Sequence, residues 1–230
     1  MPAIELVIFD NDGTLMDTEM LAAEVETAAL KELGVALTPE EFMGRFAGTS
    51  SDFVIRTVED EYGRSLPEDH FSKVEEAMIE RFRRDARAVE GAHAMLDVLD
   101  CPRAVCSNSK GTKLETALRR GELWDRFRPY VYSSKDIEGV EEKPAPDVFL
   151  HAMREFGTEP RATLVVEDSV AGVTAAKAAG ARVVGFTGAS HSRQGHADKL
   201  TEAGAETCID KLVAVPELVR VFGEWDPVEV

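Results

Sequence analysis

Ile4-Glu5-Leu6-Val7-Ile8-Phe9-Asp10-Asn11-Asp12-Gly13-Thr14 is a short apolar run, broken by one charge, that stops at an acidic turn. A run this short, rich in β-branched residues and closed by a turn signal, reads as a buried strand. Asp10 and Asp12 therefore stand where a strand ends, and Gly13 lets the backbone turn beneath a bound group. One carboxylate can attack phosphorus in line, while the other protonates the leaving oxygen and later takes a proton from water. A calcium loop of the EF-hand type is excluded by spacing. It needs glycine at its sixth position and glutamate at its twelfth, whereas Gly13 is the fourth residue counted from Asp10. A plain acidic turn remains the alternative for this segment by itself.

Outward from this strand the texture changes twice. From Asp17 to Leu33, Leu21, Val25, Ala28, Ala29 and Leu33 recur at helical spacing, with Gly34 as a stop. Further helices are expected after Thr38-Pro39, after Ser51-Asp52 and from Glu68 to Arg84, so residues 16–87 read as all-helical. Beyond Val89, short apolar runs alternate with amphipathic helices: Ala104–Cys106, Tyr130–Tyr132, Leu164–Val166, Val183–Phe186 and Thr207–Ile209. Such alternation predicts an α/β fold, a Rossmann-like parallel sheet with helices on both faces. The first strand has no partner before residue 103, so the helical stretch is an insertion. The expected division is a core of residues 1–15 and 88–230 and an inserted helical cap of residues 16–87.

Three more predicted strand ends carry polar chemistry. Val105-Cys106-Ser107-Asn108-Ser109 precedes a helix near Lys110, so Ser107 can bond a phosphate oxygen beside N–H groups that point at it. Simple helix capping is the alternative. Lys143-Pro144-Ala145-Pro146-Asp147 holds a lysine in a proline-stiffened loop, a placed point charge able to bridge a nucleophile and phosphoryl oxygens. Val165-Val166-Glu167-Asp168-Ser169 ends a strand with adjacent acids, which cost folding energy unless neutralised. With Asp10 they offer hard oxygen ligands suited to Mg²⁺. An N-cap role for Asp168 is the competing reading.

Composition narrows the classes. Among 230 residues, 43 are acidic and 26 basic, a net charge of -17 that argues against nucleic acid or an anionic membrane as partner. An anionic substrate then needs a local positive field from metal, lysine and backbone N–H groups. No apolar run suggests a membrane span and the start lacks the pattern of a signal peptide, so a cytoplasmic location is the expectation. The cysteines, Cys101, Cys106 and Cys208, form no C-x-x-C pair and are expected as inert thiols. His191 and His196 lack metal-ligand spacing and are expected to fix their loop. Trp124 and Trp225 read as packing, and Phe42, Phe46 and Phe53 read as cap core or cap lining.

In order, D-x-D-G-T, a Ser after a strand, K-P-x-P-D, and E-D-S before a small-residue helix resemble the haloacid dehalogenase superfamily across essentially the whole chain. The nearest branch is that of β-phosphoglucomutase-like enzymes and sugar-phosphate phosphatases with a helical cap. The resemblance implies Asp10 as nucleophile and Asp12 as general acid/base, its carbonyl also touching the metal. It implies Ser107, Asn108 and Lys143 as phosphate-binding residues, with Asp168 and Glu167 completing a Mg²⁺ site. Where the mutase branch usually carries a cap histidine and arginine, this chain has Ala22 and Ser51. Cap specificity is expected from the loop Gly44–Ser50, with Arg45, Thr49 and Ser50, and from Lys73. The expectation is a phosphatase of a small phosphorylated metabolite, a sugar or sugar-acid phosphate, acting as monomer or small homo-oligomer. A phosphoryl-transferring mutase and a silent phosphate-binding protein are the alternatives.

Overall fold

The computed structural model describes residues 3–46 and 51–224. Six strands, β1 (Leu6–Phe9), β2 (Arg103–Ser107), β3 (Val131–Ser133), β4 (Thr163–Glu167), β5 (Arg182–Phe186) and β6 (Thr207–Ile209), form one sheet in the order β3-β2-β1-β4-β5-β6. All pairings are parallel, with Ile8 opposite Ala104 on one side and Val165 on the other. The chain leaves β1 for β2 and β3, then crosses back to β4. That reversal opens a crevice at the carboxyl ends of the strands beside β1.

The strands alternate between two apolar layers, as a sheet covered on both faces requires. Val7, Phe9, Val105, Val166 and Val184 pack with α5 (Ala92–Val98), α6 (Gly111–Arg120), α7 (Trp124–Phe127) and α11 (Val215–Glu224) through Met95, Leu118, Phe127 and Phe222. Leu6, Ile8, Ala104, Val165 and Val183 pack on the other face with α8 (Asp147–Phe156), α9 (Val170–Ala178) and α10 (His196–Ala203).

Between β1 and β2 run α1 (Glu19–Glu32), α2 (Pro39–Phe46), α3 (Ser51–Tyr62) and α4 (His70–Asp85). They bury an apolar cluster of their own, which includes Leu30, Phe42, Phe46, Val54 and Val58. Phe82 of α4 leaves that cluster and enters the core layer under α6. The two connections to the insertion run side by side. Asp17 N–H donates to the Arg87 carbonyl and Val89 N–H to the Leu15 carbonyl, each at 2.9 Å. The Gly44–Ser50 segment expected as a loop differs in part: Gly44, Arg45 and Phe46 complete α2, because Phe42 and Phe46 are both drawn into the cluster. Ala47, Gly48, Thr49 and Ser50, like Trp225, lie outside the described residues.

The core-facing side of α1 carries Glu19, Ala22 and Glu26, spaced to share one face. Ala22 packs on the core layer, and one carboxylate oxygen of Glu26 is buried without a partner. Burial pushes the Glu26 carboxyl up to about 7, with Lys113 opposing. A folded-state value above the unfolded one gives stability that is full below the unfolded value and is lost as pH rises through the folded one. Glu26→Gln removes that loss. Urea denaturation should therefore show Glu26→Gln more stable than wild type by ~1–3 kcal/mol at about pH 8, with the difference gone near pH 5.

Candidate active site

Lys143 is the centre of a buried charge cluster at the carboxyl ends of β1, β2 and β4. Its ammonium donates to Asp10 Oδ1 at 2.7 Å, Glu167 Oε1 at 2.6 Å and the Cys106 carbonyl at 2.8 Å. All three protons are thus used, and Phe149 covers the ammonium, its ring centroid 4.9 Å away. Burial would favour the neutral amine, but Asp10 and Glu167 raise the Lys143 ammonium far above its ordinary range. Asn108 holds the lysine from both sides of its backbone, accepting from Lys143 N–H at 2.9 Å and donating to the Lys143 carbonyl at 3.1 Å. Ser134 donates to the same Asn108 oxygen at 3.0 Å.

Asp10 continues the ladder of β1, its N–H bonded to the Val166 carbonyl at 3.0 Å. Burial lifts its carboxyl well above the usual carboxylate range; Lys143 opposes this, while Glu167, Asp168 and Asp12 add to it. Asp10, Glu167 and Asp168 each present an oxygen within 4.8 Å of the others. One ammonium does not neutralise these buried acids, and an all-carboxylate donor set suits a hard divalent cation.

Asp12 is outside that trio, its side chain held by two hydroxyls. Thr18 donates to Oδ1 and Ser109 to Oδ2, both at 2.6 Å. Burial raises the carboxyl, but Lys113 and these two hydrogen bonds outweigh it, and the group ends below its ordinary value. The turn that carries Asp12 closes with Thr14, Leu15 and Met16 N–H groups on the Asn11 carbonyl. Gly13 adopts φ +82°, and a Cβ there would collide with the Asp168 carboxylate.

Asp168 accepts from Thr14 Oγ1 at 3.0 Å and faces His191 Nε2 at 3.0 Å, while its carbonyl meets His196 Nε2 at 2.7 Å. Burial disfavours the His191 imidazolium, yet the Asp168 hydrogen bond and charge, with Glu19 and Asp17 behind it, leave the group raised. The competing N-cap reading falls to the next residue: Ser169 caps α9, its Oγ accepting from Gly172 N–H at 3.0 Å. Glu167 is fully buried and spends its second oxygen on Ser169. A Cβ on Gly172 would run into that carboxylate.

Ser107 is buried at the end of β2, its Oγ accepting from Ser109 N–H at 3.0 Å. The structure thus brings Asp10, Asp12, Ser107, Asn108, Lys143, Glu167 and Asp168 to one end of the sheet. It does not bring Arg45 or Lys73 there. Arg45 clamps α2 to α3, bonding Glu61 at 2.6 Å and Tyr62 at 3.0 Å, and Lys73 pairs with Asp69 one turn earlier at 2.7 Å. Each is paired with an acidic residue of the inserted helices or the turn before one of them. Thr49 and Ser50 are outside the described residues. Thr14, Thr18 and Ser109 were not assigned roles from the sequence, and His191 and His196 were assigned only a loop-fixing one. Thr14 and Ser109 had a signal, their places within D-x-D-G-T and the Val105–Ser109 segment.

A protein-family model described as haloacid dehalogenase-like hydrolase matches residues 7–186. The 6-phosphogluconate phosphatase of Escherichia coli is 31% identical over 98% of this chain and 99% of its own. A conserved haloacid dehalogenase-like protein of unknown function from Agrobacterium tumefaciens superposes with TM-score 0.87 at 42% identity, over 95% of this chain and 98% of that one. A haloacid dehalogenase family hydrolase from Deinococcus radiodurans, with bound phosphate and sodium, gives 0.81 at 28% identity, over 99% and 100%.

Replacing Lys143 by Met leaves Asp10 and Glu167 buried without their cation. Denaturation in EDTA at about pH 7 should show a loss of ~3–5 kcal/mol. The loss should shrink toward about pH 5, where the orphaned carboxyls take up protons.

Proposed function

The chain belongs to the haloacid dehalogenase-like hydrolase family, and from that premise we propose a Mg²⁺-dependent phosphatase acting through an aspartyl-phosphate on Asp10. Its substrate in this reading is a small phosphorylated sugar or sugar acid. The observation that carries it is the pairing of two differently held carboxylates on one turn: Asp10 on Lys143, Asp12 on Thr18 and Ser109.

Mg²⁺ fits the carboxylates of Asp10, Glu167 and Asp168, and when bound it would supply charge neutralisation and Lewis-acid polarisation of the phosphoryl oxygens. Lys143 holds the Asp10 carboxylate at a fixed position and offsets repulsion as an anionic phosphoryl group approaches. Ser107 Oγ and the N–H groups that follow it receive phosphoryl oxygens. An Asp10 carboxylate oxygen forms the new bond to phosphorus as the ester P–O bond breaks, and the leaving oxygen takes a proton from Asp12. Asp12 is ionised in the free protein, so it gains this proton when the anionic phosphoryl group beside it raises its affinity. In the second half Asp12 accepts a proton from water, which attacks phosphorus and releases inorganic phosphate and the Asp10 carboxylate. Helices α1–α4, as a cap of residues 16–87 over the core of residues 1–15 and 88–230, exclude bulk water during these steps.

Phosphate release from a panel of sugar, sugar-acid and small organic phosphates, with Mg²⁺ or EDTA, tests the reading. We expect release by wild type with Mg²⁺, none by Asp10→Asn, and a loss of about a hundredfold or more in Lys143→Ala. Near-normal activity in Asp10→Asn would overturn the covalent mechanism. An isomerised sugar phosphate without free phosphate would replace the phosphatase by a mutase.

A further inference from the structure

The segment between β5 and α10 is a loop braced on both sides of His191. Ser190 donates from its N–H at 3.1 Å and from its hydroxyl at 2.7 Å to Asp17 Oδ1, in the connection that leads into the insertion. Arg193 donates to the Ser190 carbonyl at 2.7 Å and to the Ser192 carbonyl at 3.0 Å. The His191 ring, carried between these anchors, meets Asp168 with Nε2 3.0 Å from Oδ2, the two side chains being only 11% and 5% exposed. His196 holds the same residue by its backbone. The Asp168 carbonyl only accepts, so His196 Nε2 donates to it at 2.7 Å, and Nδ1 meets the Ser192 hydroxyl at 2.6 Å. The two rings stand edge to face, their centroids 5.6 Å apart. A Cβ at Gly13 would strike both the Asp168 carboxylate and the His191 ring, so the turn after β1 leaves room for this pair.

An aspartate turns broadly about its last torsion unless something holds the carboxylate. Here Thr14 takes Oδ1 at 3.0 Å and His191 takes Oδ2, so both oxygens are oriented. Two of about four lone-pair sites are spent, and an Asp168 oxygen still lies within 4.8 Å of oxygens from Asp10 and Glu167. A carboxylate pinned in this way meets a cation without losing rotamer freedom at the moment of binding. Nε2 donates from the neutral ring and from the imidazolium alike, so the contact does not depend on the charge of His191. Resting on the cation site of the reading above, we propose that His191 is a positioning residue that holds the Asp168 carboxylate for the divalent cation.

The test reads cation affinity with no substrate present. Mn²⁺, an oxygen-preferring stand-in for Mg²⁺, is titrated into wild type and variants, and the free ion is counted by electron paramagnetic resonance. A site present in wild type and lost in Asp10→Asn belongs to the carboxylate trio and not to the acidic surface. His191→Phe keeps a ring without a donor, and His191→Asn stops its amide short of Asp168. Each should weaken Mn²⁺ at that site by about tenfold or more. His191→Gln returns an N–H near the place of Nε2 and should stay within about threefold of wild type. Urea denaturation in EDTA checks that each variant is folded; if His191→Phe is not, the Asn and Gln pair carries the comparison. Wild-type affinity in His191→Phe and His191→Asn would overturn the proposal. An equal loss in all three variants would overturn it as well, because packing of the ring and not its N–H would then hold the site. A wild type with no Mn²⁺ site dependent on Asp10 would overturn the cation centre and the inference together, a result distinct from a site that ignores His191.

Discussion

Lys143 Nζ stands between Asp10 and Glu167, both nearly or wholly removed from solvent. Charges so deeply buried are tolerated only when paired and fully hydrogen-bonded, because desolvation otherwise outweighs their attraction. The third proton of the ammonium goes to the Cys106 carbonyl, so one side chain joins the ends of β1, β2 and β4. Much of the surrounding chemistry serves this arrangement. Asn108 and Ser134 hold the lysine loop, Ser169 occupies the far oxygen of Glu167, and Gly172 leaves the space that Glu167 fills.

The same cluster holds the two aspartates differently. Asp10 is deeply buried among acids, and its carboxyl is driven up; Asp12 is supported by hydroxyls and driven down. Carboxylates two residues apart on one turn are thereby given opposite proton affinities; for Asp10 to act as nucleophile and Asp12 as acid/base the sense must reverse, a bound divalent cation holding Asp10 ionised and an anionic phosphoryl group raising Asp12. Asp168 is tied by Thr14 from the same turn and by His191 and His196 from the segment between β5 and α10. The two histidines do fix their loop, but they fix it against a carboxylate of the site.

Periodicity made much of this legible. The apolar runs after Val89 each became a strand, and helical spacing within residues 16–87 became α1 to α4. Both periods are local, set by which faces must be buried. Phe42 and Phe46 belong to the apolar cluster of the inserted helices, and Phe53 is about half exposed. The partners of Arg45 and Lys73 were not legible, because a long cationic side chain is claimed by whichever carboxylate folding brings near. Glu61 and Asp69 are exposed acids no different in the sequence from their neighbours.

By itself the sequence determined the parallel α/β architecture, the insertion after the first strand, and the four strand ends where carboxylates, serine and lysine gather. These follow from short-range patterns and from motifs contiguous in the chain. Only the tertiary structure decided that Asn108 supports Lys143, that Thr18 and Ser109 hold Asp12, and that His191 meets Asp168. Each depends on side chains from elements far apart in the chain, whose meeting is set by the crossing of helices over the sheet. A hydroxyl, an imidazole or an ammonium acquires its role from the partner it meets.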